Sequence, residues 1–186
     1  MNKEEALLLL KEHVKNENMI KHCLASGAVM AALARKLGTD EKIWQAAGIL
    51  HDIDIEAAAL AGNLMQKHGT LARAMLEGKL PADAIAAIEA HNEHAGLRAR
   101  NCAFDHALAA GETITGLITA TAYVYPDRKL ASVKPKSITK RMKEKSFAAS
   151  VSREGILECE KLGISLDDFA ALALAAMQEI SGELGL

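Results

Sequence analysis

The sequence predicts an all-α protein, and three observations carry that expectation. Half of the 186 residues are apolar but only 3% are aromatic, so the core must be built from Ala, Leu, Ile, Val and Met, mostly good helix formers. Only three prolines interrupt the chain. Apolar residues recur at helical intervals in nearly every segment, and no alternating run of strand type is present. This length suits one domain, or one domain with a subdomain, and is enough to bury a real core.

The elements follow in order. NKEEALLLLKEHV opens a helix with Asn2 and Glu5 at capping-box spacing. Its short apolar run, Leu7 to Leu10, is bracketed by charges, which predicts an amphipathic helix rather than a leader or a membrane span. ENMIKHCLASGAVMAALARKLG is stopped by Gly38, where a left-handed cap costs glycine little. TDEKIWQAAGILHD starts with Thr39 as N-cap and is apolar almost all round from Ile43 to Leu50, as an interior helix is. DIEAAALAG then places Asp54 and Glu56 in an acidic first turn. GTLARAMLEG and PADAIAAIEAHN are shorter, the second with Pro81 at its first position. AFDHALAAGETITGLITATAYVY is the longest apolar run, and Asp105, His106 and Glu112 inside it argue against a membrane span. SREGILECEKLG and SLDDFAALALAAMQEI close the chain, the latter opened by Ser165 and Asp168 at capping spacing. The apolar last helix offers a face for a homodimer.

The net charge of −2 hides an asymmetry, because Arg128 to Lys145 carries +7 and the remainder therefore −9. A basic segment on an acidic protein points to a local anion site rather than a general nucleic-acid surface. No aromatic platform for base stacking accompanies it, so nucleic acid ranks last among partners. The three cysteines, Cys23, Cys102 and Cys159, form no C-x-x-C pair, which fits a reducing cytoplasm and argues against both a disulfide framework and a zinc–thiolate site.

The polar residues on apolar helix faces carry the chemistry. His22 shares a face with Val29 and Leu33, His51 with Trp44 and Ala47, and His91 with Ala84 and Ala87. Glu112 interrupts the long apolar helix. Any one of them alone is ordinary for a satisfied core histidine or boundary carboxylate, and His13 and His106 keep that reading. His68, just before a helix start, also suits a turn. An inward polar group without a partner costs about 1–3 kcal/mol. Several on separate helices solve that problem together by gripping a metal ion, as helical bundles do.

A helix histidine, an apolar helix ending in an HD doublet and a carboxylate in a later helix together resemble the HD superfamily of metal-dependent phosphohydrolases. KHCLASGAVMAALARKLG, AAGILHDID, KHGTLARAML and AIEAHNEH match successive segments, and the later ETITGLITATAYVYPDRKL is similar to a bacterial and archaeal subgroup of HD-domain hydrolases. The resemblance implies an HD-type helical core over residues 1–125, with a basic segment and C-terminal helices, 126–186, packed on the same domain. It implies His22, His51 and Asp52 as metal ligands, and His68 and His91 as the extra histidines of two-metal members, with Asp52 bridging. Glu112 falls where the family has Asp, and Asp105, two turns earlier on the same face, is the fallback ligand.

The cofactor implied is one or two divalent ions, with Mn, Fe, Co, Ni, Zn and Mg all compatible with imidazole and carboxylate. The reaction implied is cleavage of a small phosphoester, a nucleotide or dinucleotide, by a metal-bound hydroxide. His94, one turn after His91, is then a candidate substrate contact or proton donor, and otherwise an exposed helix-end histidine. Lys134, Lys136, Lys140 and Arg141 are candidates for the substrate phosphates, or else a solvated basic helix. Ser137 would cap that helix, and Asp54 would orient a lysine or arginine. The alternative is a catalytically weak HD-fold module that binds a nucleotide and regulates.

Overall fold

Side chains that satisfy free backbone N–H groups set where the helices begin. Asn2 accepts from the Glu5 amide at 2.9 Å and Glu5 accepts from the Asn2 amide at 2.9 Å, closing the expected capping box of α1 (Lys3–His13). Asn16 caps α2 (Glu17–Leu37), which ends at Gly38 with φ +70°, as the sequence predicts. For α3 (Glu41–Leu50) the cap is Asp40, which accepts from the Ile43 amide at 3.0 Å, and not Thr39. Asp40 brings a full charge to the positive end of the helix dipole, which a threonine hydroxyl does not.

Three short helices follow: α4 (Ile55–Leu60), α5 (Leu64–Lys67) and α6 (Ala72–Leu76). Pro81 stands as N-cap of α7 (Ala82–His91), one position earlier than expected. The longest apolar run forms α8 (Ala103–Tyr123). In α9 (Pro135–Met142) Lys134 is the cap residue and Pro135 opens the first turn; Ser137, expected to cap, lies inside the helix and bonds the Tyr125 hydroxyl at 2.8 Å. The remaining helices are α10 (Arg153–Leu157), α11 (Leu166–Glu179), capped by Ser165 as expected, and α12 (Ser181–Leu184). This computed structural model describes residues 1–186, and the chain is all-α, with three short 3-10 turns and no strand.

Helix α2 is the central element, packed against α3, α8 and α11, while α7 and α10 also pack on α8. One continuous apolar core runs from Ala6 in α1 to Leu184 in α12. The apolar faces of α8 and α11 are both used inside this core, and no helix is long and apolar enough to cross a membrane. Phe169, Ala173 and Met177 of α11 are fully buried, so that part of its apolar face is used inside the chain.

The tightest packing lies where α2 crosses α3. A Cβ on Gly48 would stand 2.8 Å from Gly27 Cα and 2.8 Å from the Ser26 carbonyl oxygen, and one on Gly27 would stand 2.5 Å from Ile49 Cγ1. The two backbones touch, and only glycine at both positions permits it. Replacing Gly48 with alanine forces backbone against backbone. Gly48→Ala is expected to cost about 1–3 kcal/mol of stability, read as a lowered thermal midpoint by circular dichroism; an unchanged midpoint would show that α2 and α3 can part freely.

Candidate metal centre

Five elements deliver six side chains to one point. His22 comes from the second turn of α2, His51 and Asp52 from the turn that ends α3, and His68 from the turn after α5. His91 comes from the last residue of α7 and Glu112 from the middle of α8. Asp52 Oδ1 lies 2.8 Å from His68 Nε2, 3.3 Å from His51 Nε2 and 3.5 Å from His91 Nε2. Asp52 Oδ2 is 3.7 Å from His22 Nε2, which lies 3.8 Å from Glu112 Oε2. The donors form two groups, His22–His51–Glu112 and Asp52–His68–His91, with donor atoms of each within 4.8 Å of one another. All six residues that the sequence marks as ligands therefore meet. Glu112, not Asp105, is the carboxylate from α8.

The far nitrogen of each ring fixes what the near one presents. His51 Nδ1 lies 2.8 Å from the Gly48 carbonyl and His91 Nδ1 2.5 Å from the Ile88 carbonyl, so both must donate. His68 Nδ1 faces Asp54 Oδ1 at 2.8 Å and donates as well. His22 Nδ1 is 2.9 Å from Thr115 Oγ1, whose own proton goes to the Glu112 carbonyl at 2.7 Å, so Thr115 accepts from His22. With Nδ1–H in all four neutral rings, every Nε2 turns a lone pair inward.

Those lone pairs face one another. His68 and His91 Nε2 are 2.9 Å apart, and His22 and His51 Nε2 are 3.2 Å apart, with the Asp52 carboxylate among them. Acceptors this close repel unless a proton or a cation lies between them. The donor set fits a divalent ion, and histidines anchored through the second nitrogen are the usual form of such ligands. Where no ion is bound, a proton takes that part. Burial lowers the His68 pKa, but its hydrogen bonds to Asp52 and Asp54 outweigh this and raise it to about 9.

His51 goes the other way. Burial, with Asp52 offsetting only part and His22 and His91 adding to it, lowers it to about 3, so it stays neutral. Burial pushes the Asp52 carboxyl up, yet His51, His68 and His91 hold it well below its ordinary range. Burial raises Glu112, whose carboxylate also accepts from the Thr113 hydroxyl. Cys23 Sγ groups with His51 and Asp52, but burial and then Asp52 push its thiol well above the ordinary range.

Several contributors carry no motif. Asp54, fully buried, does not orient a lysine or arginine as expected. It holds His68 and accepts the amides of Gly69 at 2.8 Å and Leu71 at 3.0 Å, a turn that Gly69 makes at φ +93°. Burial alone would raise Asp54, and those bonds bring it below its usual value. Glu56 is more than a helix start: its carboxylate accepts the amides of Lys15 and Asn16 at the entry to α2. Asn92 donates to the carbonyls of Met65 and His68, tying the His68 turn to α7. Arg100 donates to the Ala90 and His91 carbonyls, closing the end of α7. Only Asp54 and Glu56 stood out in the sequence.

Other expected residues stay apart from the cluster. Asp105 pairs with Arg98 at 2.8 Å and accepts the Asn101 and Cys102 amides, closing the start of α8. His106 pairs with Glu158. His94 is exposed in the turn Glu93–Ala95. Lys136, Lys140 and Arg141 line two cavities that no residue of the cluster enters, and Arg141 pairs with Glu144 and lies over the Phe147 ring. Lys134 is exposed at the start of α9.

A helical bundle that gathers histidines and carboxylates from separate helices, each ring anchored from behind, defines a candidate metal centre in an all-α fold. The HD domain family model matches residues 19–121, more than half of the chain, and the protein belongs to that family, whose members are generally metal-dependent phosphohydrolases. Neither the curated proteins nor the solved structures provide a match.

Asp54→Asn is expected to weaken divalent-ion binding by about 10–100-fold with helix content retained, measured by isothermal titration. In the wild type, His68 must lose its proton to bind an ion. Apparent affinity should therefore rise with pH up to about 9 and fall below it, with one proton released per ion bound. A flat profile, with no buffer-dependent heat, would place the binding proton elsewhere.

Proposed function

We propose that the protein is a metal-dependent phosphohydrolase cleaving a phosphoester of a small molecule such as a nucleotide or dinucleotide. The supporting observation is the convergence of four imidazole Nε2 atoms around Asp52, each ring fixed by a hydrogen bond at its other nitrogen. His22, His51, Asp52, His68, His91 and Glu112 would hold one or two divalent ions, with Asp52 shared between the two groups. Such an ion supplies Lewis acidity, acidifying water and polarising a phosphoryl oxygen.

The chain's own part is to hold and to exclude. The anchored rings cannot turn their nitrogens outward. His51, Asp52 and His91 close the inner side to solvent, with side chains 1%, 8% and 5% exposed. In this reading residues 1–125 carry the site and residues 126–186 complete the same domain. Three unpaired cysteines suit a cytoplasmic setting.

The purified protein is expected to carry a divalent transition metal, and Asp52→Ala to lose both the metal and phosphate release from phosphoesters. Metal-free protein that stays inactive with added Mn or Co would overturn the reading. Glu112 in the usual Asp position supports a second one, a regulatory module, which unchanged nucleotide bound one to one without turnover would establish.

A further inference from the structure

Helix α9 is two-sided. Ile138 and Met142 are buried in the core, which fixes the helix on the domain and turns its other residues outward. Lys136, Lys140 and Lys143 follow one another at spacings of four and three, so they share a face. All three are exposed, and together they line one cavity between α9 and the start of α11. Lys134 at the helix cap, and Arg128 and Lys129 in the segment before it, are exposed as well. None of these cations forms an ion pair.

The acids nearby are few. Glu144 is taken by Arg141. The Asp127 carboxylate accepts from the Ser132 hydroxyl and the Lys129 amide. Asp167 lines the cavity with the lysines, and Asp168, next to it, bonds Ser165. Like charges three and four residues apart on a helix repel, and the chain has acids to spare, with −9 outside residues 128–145. The fold does not spend those acids here, so the positive face is left for a partner.

An apolar feature adjoins it. Tyr123, the last residue of α8, and Val124, its cap, are 56% and 53% exposed. Lys140 joins the two features, because it also lines a second cavity with Val124 and the exposed Pro126. No residue of the metal cluster enters either cavity, so this face stands apart from the site already described.

We propose that the α9 face docks on an anionic phospholipid bilayer, with its lysines against the headgroup phosphates and Tyr123 and Val124 entering the interface beside them. A cluster of cations on one amphipathic helix suits acidic headgroups. A tyrosine ring, apolar in body and polar at its tip, settles at the boundary between headgroups and acyl chains. A soluble polyanion would engage the lysines and leave Tyr123 and Val124 in water, and one exposed ring is no stacking platform for nucleic acid. The attachment is peripheral, since no helix is long and apolar enough to cross a membrane. With a net charge of −2 the molecule as a whole is not drawn to an acidic surface, so segregation of its charge sets which side approaches.

The test is sedimentation of the protein with vesicles of phosphatidylcholine alone and of phosphatidylcholine with about 30% phosphatidylserine. Binding to the acidic vesicles should exceed binding to the neutral ones at least about tenfold. It should disappear near 1 M salt, where the screening length is about 3 Å. Replacing the three lysines together, Lys136→Glu, Lys140→Glu and Lys143→Glu, should abolish it with helix content unchanged, whereas arginine at all three should retain it. Should the triple variant lose helix content, Lys140→Glu alone, where the two cavities meet, should weaken binding several-fold. Tyr123→Ala should weaken it about threefold. Equal binding to both kinds of vesicle, or binding indifferent to the lysines or to Tyr123, overturns the proposal. A short oligonucleotide that strips the protein from acidic vesicles at physiological salt overturns it too, and makes the face a nucleic-acid surface.

Discussion

The contact of Gly27 with Gly48 is the constraint on which the site depends. Where two backbones touch, helices α2 and α3 lie closer than any side chain would let them. His22 lies five residues before the first glycine and His51 three after the second, so the crossing brings their rings to an Nε2–Nε2 distance of 3.2 Å. Gly48 has a second task, since its carbonyl accepts from His51 Nδ1. The residue that permits the approach thus also sets the ring that profits from it. At Gly111, one residue before Glu112, an added Cβ would meet side chains of α2, Met30 Sδ at 3.1 Å and Val29 Cγ1 at 3.5 Å.

A similar economy governs the histidines. Each is turned by an acceptor that is already part of the backbone framework or fixed to it: the Gly48 and Ile88 carbonyls three residues earlier in the chain, the Thr115 hydroxyl on α8, and Asp54 below the His68 turn. Unanchored rings would escape their mutual repulsion by rotating. Anchored ones keep it, and the repulsion becomes affinity for a cation. Asp54 matters most, because His68 lies in a loop with no helix to hold it, and the same carboxylate fixes that loop through the amides of Gly69 and Leu71.

How much of this was legible in the sequence follows from how local each signal is. Helix periodicity and capping chemistry act within four residues, so the all-α class, the Asn2–Glu5 box and the Gly38 stop could be read directly. Asp40 was missed for Thr39 because two good caps stood side by side and only the register of the first turn chose between them. The ligands were legible as polar residues on apolar faces, together with a resemblance that set their order. Thr115, Asn92 and Arg100 were not, because each works through a contact between segments and none interrupts its local pattern in a way that marks it. The place of the basic stretch was not legible for the same reason. Its charge is a property of composition, whereas its place is a property of how α9 packs on α11 and on the end of α8.

Glu112 is the point at which local and global signals had to be weighed together. Its extra methylene, compared with the aspartate expected there, has to be absorbed somewhere, and two features of α8 absorb it. Gly111 leaves room for the Met30 and Val29 side chains of α2, while Thr113 bonds one carboxylate oxygen and leaves the other 3.8 Å from His22 Nε2. Gly155 leaves the room that Thr113 needs, since a Cβ there would stand 3.0 Å from its hydroxyl. The C-terminal helices therefore take part in positioning the carboxylate. Gly155 of α10 thus bears on Glu112 through Thr113, and the segment after residue 126 packs against the helix that carries this carboxylate.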